Sequence, residues 1–96
     1  MAVKILIKRN IPQYRAKDLM PFFRQLRAIA SNQPGYISGE TLKRIDRSGQ
    51  YLVISTWRSN DDWQRWVQSK KRTEIQSMID SMLGEITEYE IYEYNR

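Results

Sequence analysis

The sequence predicts an α+β domain in which a four-stranded antiparallel sheet carries helices on one face. Apolar residues repeat with period two in four segments and with the helical period between them. The segments follow the order β-α-β-β-α-β, without the alternation that a doubly wound parallel sheet needs. At 96 residues the chain is expected to form one domain over residues 1–96.

The first strand is predicted over residues 2–9, where apolar and more polar positions alternate. A helix follows, with Asp18 as its cap and an end near Ser31. Pro21 would then fall in the first turn, where its missing N–H has no partner. The apolar positions of this helix follow the 3.6-residue period: Leu19, Phe22, Phe23, Leu26 and Ile29.

A β-hairpin is predicted next, with strands over Tyr36–Arg44 and Gln50–Arg58. The residues between them, 45–49, include Asp and Gly, which suit a hairpin loop. The two strands should therefore pair antiparallel.

The second helical region begins after Ser59, whose hydroxyl can cap a first turn that contains acidic residues. A break near Ser69 divides this region into two pieces, and Gly84 ends it. The last strand is predicted over Glu85–Tyr94.

The third strand is apolar on both faces, since Tyr51 and Val53 alternate with Leu52 and Ile54. The helices can cover only one face. A second copy of the sheet could cover the other, and closed homodimers are the commonest oligomers, so we expect a homodimer with its sheets face to face. The alternative is a monomer, in which the apolar residues on both faces of the central strand are incidental.

Composition excludes several classes of function. The chain has no Cys and no His, which excludes disulfides, thiolate or imidazole metal sites and Ser-His or Cys-His couples. Its apolar runs are far below the roughly 20 residues that span a bilayer, so no membrane partner is expected. No leader pattern precedes the first strand, and a cytoplasmic location is the expectation.

The net charge of +5 raises the possibility of nucleic-acid binding. Residues 1–73 are strongly basic, but residues 74–96 are acidic and can neutralise them. RNA-recognition modules of this strand order place stacking aromatic rings on the third strand, whereas Gln50–Trp57 has β-branched residues at those positions. Nucleic-acid binding is therefore kept only as a minor alternative.

The residues Gln33–Ser38, Tyr51–Ser59 and Trp66 together resemble the antibiotic biosynthesis monooxygenase (ABM) domain, a family of dimeric α+β barrel proteins. The resemblance covers nearly the whole chain and depends on the order and spacing of these segments. It implies a ferredoxin-like protomer, a dimer whose sheets form a barrel, and an apolar pocket between sheet and helices in each protomer.

The resemblance also implies a chemistry. Characterised members include oxygenases that act on phenols or quinols without metal or flavin, and relatives that degrade haem. Asn10 and Trp66 match positions that often line the pocket, where Asn10 would offer an amide donor and Trp66 a flat wall with an indole N–H. Asn10 could instead cap the turn before Pro12, and the aromatic residues could serve only the core. The other candidate pocket residues are Phe22, Phe23, Trp57, Trp63 and Gln76.

Haem-degrading relatives ligate iron with a His about ten residues after the Trp, and Gln76 stands at that spacing here. His-ligated haem chemistry is therefore excluded. The leading hypothesis is a monooxygenase without bound cofactor that acts on a small aromatic or polycyclic metabolite. The alternative is a non-catalytic dimeric barrel that binds a small apolar ligand, and the sequence leaves open whether the protein is an enzyme.

Overall fold

The computed structural model describes residues 1–95, in the order β-α-β-β-α-α-β. The strands are β1 (Val3–Asn10), β2 (Tyr36–Lys43), β3 (Gln50–Trp57) and β4 (Tyr89–Glu93). The helices are α1 (Gln13–Ala30), α2 (Asn60–Val67) and α3 (Lys70–Leu83). The α+β fold class, the antiparallel hairpin and the division of the second helical region are confirmed.

The four strands form one antiparallel sheet in the order β2-β3-β1-β4. In this register Ile7 of β1 lies opposite Val53 of β3 and Tyr89 of β4. Because side chains alternate between faces along a strand, these three residues point to the same side of the sheet. The helices pack on that side.

Helix α1 begins at Gln13, six residues before Leu19, the first helical residue expected with Asp18 as cap. The backbone N–H groups of Arg15 and Ala16 both donate to the carbonyl oxygen of Pro12, at 2.9 and 3.1 Å. Pro12, whose ring fixes its φ, therefore opens the helix without a side-chain cap. As a result Pro21 lies inside the helix rather than in its first turn.

The predicted ends of the later helices are confirmed. Ser59 Oγ accepts a hydrogen bond from the backbone N–H of Asp62 at 3.1 Å, and Ser69 Oγ accepts one from Arg72 at 3.3 Å. Gly84 ends α3 with φ of +73°, the left-handed conformation that glycine adopts without a Cβ penalty.

Strand β4 is shorter than the predicted Glu85–Tyr94, since pairing with β1 covers only Tyr89–Glu93. Thr87, in the segment before β4, exchanges hydrogen bonds with Gln76 and Asp80 of α3, at 2.7 and 2.6 Å. These bonds hold the segment against α3, so it does not extend the sheet.

The core lies between the sheet and the three helices. It contains the three tryptophans together with aliphatic residues of β1, α1 and α3. The opposite face, which we call the open face, carries Leu6, Leu52, Ile54 and Tyr92, and Tyr92 is 51% exposed. Within residues 1–95 no helix is both long and apolar enough to cross a bilayer.

Candidate functional site

A cavity of about 170 Å³ lies between the sheet and the helices. Its walls are mainly apolar and aromatic, and come from β1, β2, β3, α1 and α2. The apolar and aromatic lining residues are Ile7, Ile11, Met20, Phe23, Leu26, Ala30, Tyr36, Tyr51, Val53, Trp57, Trp63 and Trp66. Such a lining, with a few polar groups, is typical of a small-molecule site.

Aromatic contacts fix one wall of this cavity. The ring of Trp57 stacks on that of Trp66, with centroids 6.5 Å apart and planes inclined by 20°. Trp63 and Tyr36 each meet the ring of Trp57 edge to face, at 5.8 and 5.4 Å. Trp57 is held further by a hydrogen bond that its Nε1 donates to Ser55 Oγ at 3.1 Å. The wall is therefore formed before any ligand enters.

Two buried arginines also line the cavity: Arg9 of β1, 6% exposed, and Arg72 of α3, 5% exposed. Both donate to the same acceptor, Gln76 Oε1, with N···O distances of 3.4 Å from Arg9 and 3.1 Å from Arg72. Arg9 Nη1 also donates to Thr87 Oγ1 at 3.3 Å, and Arg72 Nη2 donates to the hydroxyl of Tyr89. Two positive charges thus share one amide oxygen.

No carboxylate within residues 1–95 forms a salt bridge with either guanidinium. The carboxylate of the network belongs to Asp80, which accepts from Gln76 Nε2 at 2.8 Å and from Thr87 Oγ1 at 2.6 Å. Asp80 therefore acts on the arginines through Gln76 and Thr87. The buried charge is only partly compensated.

Burial lowers the pKa of Arg9 to about 10, and the charge of Asp80 opposes this shift. Burial and then the positive charge of Arg9 lower the pKa of Arg72, also to about 10, against the opposing charge of Asp80. Both guanidiniums remain protonated at pH 7. Arg9 Cζ lies 4.8 Å from the centroid of Phe23, and Arg72 Cζ lies 4.8 Å from that of Tyr89, at cation–π distance.

The cavity opens between α1 and β2, where exposed polar residues line it. Arg27 Nη2 donates to Thr41 Oγ1 at 2.9 Å and so bridges the two elements. Arg24 of α1 and Glu40 of β2 lie at the same edge. The mouth is therefore polar, whereas the walls inside are aromatic.

Residues 3–77 match the family model described as antibiotic biosynthesis monooxygenase. The chain belongs to this family. The match confirms the resemblance noted in the sequence. A search of curated proteins found no match.

Solved structures support the same ABM fold at low identity. A conserved protein from Methanosarcina mazei Go1 superposes with a TM-score of 0.90 at 16% identity, over 99% of this chain and 94% of the other. A variant of SnoaB, a cofactor-independent oxygenase from Streptomyces nogalater, gives 0.84 at 16% identity with the same coverage. Rv0793 from Mycobacterium tuberculosis gives 0.86 at 10% identity, over 100% of this chain and 97% of the other.

In this ABM-family chain, four of the predicted site residues meet in one cavity: Phe23, Trp57, Trp63 and Trp66. Phe22 packs against the core outside the cavity lining. Gln76 is buried behind the lining, where it orients the two arginines. Gln76 therefore positions groups of the site and does not form its wall.

Asn10 lies on the other side of the sheet. It pairs with Gln50, is exposed, and borders a separate cleft on the open face with Leu6 and Lys8. The structure therefore does not bring Asn10 together with Trp66, because alternation along β1 directs Arg9 toward the helices and Asn10 away from them.

One sequence signal could have identified Arg9 as a site residue. Val3, Ile5 and Ile7 alternate toward one face of β1, and the same period of two places Arg9 on that face. No comparable signal marks Arg72, which reaches the cavity through the packing of α3 against the sheet. Within the described residues there is no group of three or more acidic, His or Cys side chains that could hold a metal ion.

Proposed function

We propose that the protein is a cofactor-independent oxygenase that binds a small aromatic molecule and O₂ in the cavity between sheet and helices. The observation that carries this proposal is the aromatic cavity, in which three indoles and Phe23 border one volume. Family membership supports the reaction type.

The volume favours a ligand of one or two rings. The cavity of about 170 Å³ is similar to an engineered apolar cavity of about 150 Å³ that accepts benzene. A larger polycycle would need the gap between α1 and β2 to widen.

The proposed reaction needs no external reductant. An electron-rich phenol and one O₂ give a quinone and one water: one oxygen atom forms a new C–O bond, the other leaves as water with two substrate hydrogens, and the ring supplies four electrons. The protein would exclude water, hold the ring against Trp66, and stabilise oxygen-centred negative charge with the cationic pair Arg9 and Arg72.

Oxygen uptake tests this proposal. A panel of phenols, naphthols and quinols is incubated with the protein, and O₂ consumption and quinone formation are measured together. We expect stoichiometric uptake with at least one compound and reduced turnover in Trp66→Phe. No uptake with any compound that binds in the cavity would contradict the proposal.

A second candidate is a non-catalytic ligand carrier. The observation in its favour is the absence of an obvious proton acceptor: the acidic residue among the described lining residues is Glu40, which pairs with Ile54 of the open face, so its carboxylate points away from the cavity. A carrier would bind phenols without consuming O₂, so calorimetric binding without uptake would favour it.

We also propose that the protein is a homodimer whose open faces pack together. Leu6 and Ile54 are directly paired on this face, and Leu52 lies beside them on β3. Leu42 and Tyr92 add exposed apolar surface on the flanking strands, at 45% and 51% exposure. A second copy would remove this surface from water, which favours association.

A further inference from the structure

We infer that the aromatic ligand carries a carboxylate and that Arg9 and Arg72 hold this group. The inference rests on the proposed function, because it concerns the same cavity, and it adds the charge and the functional group of the ligand.

The first argument is the unbalanced charge. Arg9 and Arg72 are each more than nine-tenths buried, and neither has a carboxylate within salt-bridge distance in residues 1–95. Asp80 supplies one negative charge to the network, through Gln76 and Thr87, against two positive charges. Buried charge is costly unless it is paired, so an anion in the cavity would relieve this cost.

The second argument is an unused donor. Arg9 Nε is buried and has no hydrogen-bond acceptor among the described residues. Its Nη1 and Nη2 donate to Thr87 and Gln76, which holds the guanidinium plane in place. The side-chain hydrogen bonds of Arg72 within residues 1–95 use Nη2. Donor capacity therefore remains on both side chains that border the cavity.

The third argument is the fit between this donor set and a carboxylate. Guanidinium groups bind the two oxygens of a planar carboxylate with directed, charge-assisted hydrogen bonds. A neutral phenol offers one oxygen and no charge, so it would leave most of the buried charge uncompensated. Two neighbouring guanidiniums thus favour an aromatic acid over a neutral phenol.

The aromatic wall lies beside the cationic pair. Arg72 Cζ is 5.9 Å from the ring centroid of Trp63, and Arg9 Cζ is 4.8 Å from that of Phe23. A ligand with its carboxylate at the arginines can therefore place its ring among the aromatic residues that border the same volume. Arg24 and Arg27 at the mouth would favour the approach of an anion.

The test is calorimetric binding under nitrogen, which separates binding from turnover. Salicylate is compared with salicylamide, which keeps the ring and hydroxyl but has no charge on the amide. We expect salicylate to bind at least about tenfold more tightly, the effect of charge-assisted hydrogen bonds. Equal affinity for the two compounds would overturn the inference without requiring any variant.

Variants locate the anion. Arg9→Gln and Arg72→Gln should each weaken salicylate binding by about tenfold or more and should weaken salicylamide binding by a smaller factor. Arg47→Gln is the matched control, because Arg47 is an exposed arginine of the hairpin loop and its loss changes the net charge equally. A similar loss of affinity in Arg47→Gln would contradict a specific site.

Three further outcomes are informative. A nitrophenol that ionises near neutral pH tests whether a phenolate suffices; binding as tight as that of salicylate, with the same dependence on Arg72, would overturn the assignment of a carboxylate. If salicylate and its hydroxylated analogues bind as expected but no compound consumes O₂, the oxygenase proposal fails and the acid site stands. If neutral phenols bind and are oxidised as well as the acids, the acid site fails and the oxygenase stands.

Discussion

The indole rings of Trp57, at the end of β3, and Trp66, in the last turn of α2, lie nearly parallel, with centroids 6.5 Å apart and planes inclined by 20°. This contact joins the sheet to the helical layer at the wall of the cavity. Both side chains are buried, with 1% and 5% exposure. The same pair therefore supports the fold and shapes the site.

Trp66→Ala should lower the free energy of unfolding by about 3–5 kcal/mol, as expected when a large buried aromatic side chain is removed and leaves a cavity. Trp66→Phe keeps an aromatic wall and should cost less. Urea unfolding followed by circular dichroism measures both. A loss below about 1 kcal/mol in Trp66→Ala would contradict the packing described.

Asn10→Ala should leave ligand affinity unchanged within about twofold, because Asn10 lies across the sheet from the cavity. The resemblance to the family implied the opposite, since it placed an amide donor there. Calorimetry with the best ligand of the wild-type protein decides between these placements, and Trp66→Phe serves as the variant that should weaken binding. A tenfold loss in Asn10→Ala would mean that the side chain reaches the ligand.

Local patterns predicted most of the fold. Ser59, Ser69 and Gly84 each act through contacts within a few residues, so their roles could be recognised in the sequence. The start of β4 could not be recognised in the sequence, because it depends on hydrogen bonds between Thr87 and α3.

Some residues of the candidate site could be predicted from local patterns, and others could not. Helical and strand periods placed Phe23, Trp57, Trp63 and Trp66 in the core, and the fold brings them to one cavity. The pairing of Arg9 with Arg72 through Gln76 joins β1 to α3, across 67 residues of sequence between Arg9 and Gln76. Such a contact arises only from tertiary packing.

Arg72→Met should stabilise the protein by about 1 kcal/mol at pH 7, since apolar replacement of buried, poorly paired charge is often stabilising. The folded state lowers the pKa of Arg72 to about 10, so it disfavours the charged form. This penalty is fully present below pH 10 and falls as pH rises through 10 toward the ordinary arginine value, because the unfolded chain then binds more protons. The advantage of the variant should therefore shrink above pH 10.

Urea unfolding at pH 7 and at pH 10.5 measures this advantage, with the exposed Arg47→Met as control. A stability loss above about 1 kcal/mol at pH 7 would mean that the hydrogen bonds of Arg72 outweigh its desolvation. If Arg72→Met is more stable than the wild-type protein and also binds salicylate more weakly, Arg72 is a residue kept for function at the expense of stability.

Gly35→Ala should destabilise the protein more than Gly84→Ala. Both glycines have positive φ, +85° and +73°, which costs an alanine about 1–2 kcal/mol. At Gly35 the new Cβ would also collide with the side chain of Asp62, whereas nothing lies within 4 Å of the Cβ position at Gly84. Comparing the two unfolding free energies isolates the cost of the collision, and equal losses would contradict it.

Ile54→Lys should convert the proposed homodimer into a folded monomer. Ile54 pairs with Leu6 on the open face, so a lysine there would bring positive charge into an apolar interface in both copies. Sedimentation velocity measures the change, and Gln25→Lys, an exposed substitution on α1, is the control of equal charge. A wild-type protein that is folded and sediments as an 11.5 kDa particle at micromolar concentration would contradict the dimer, and the open face would then be exposed to water.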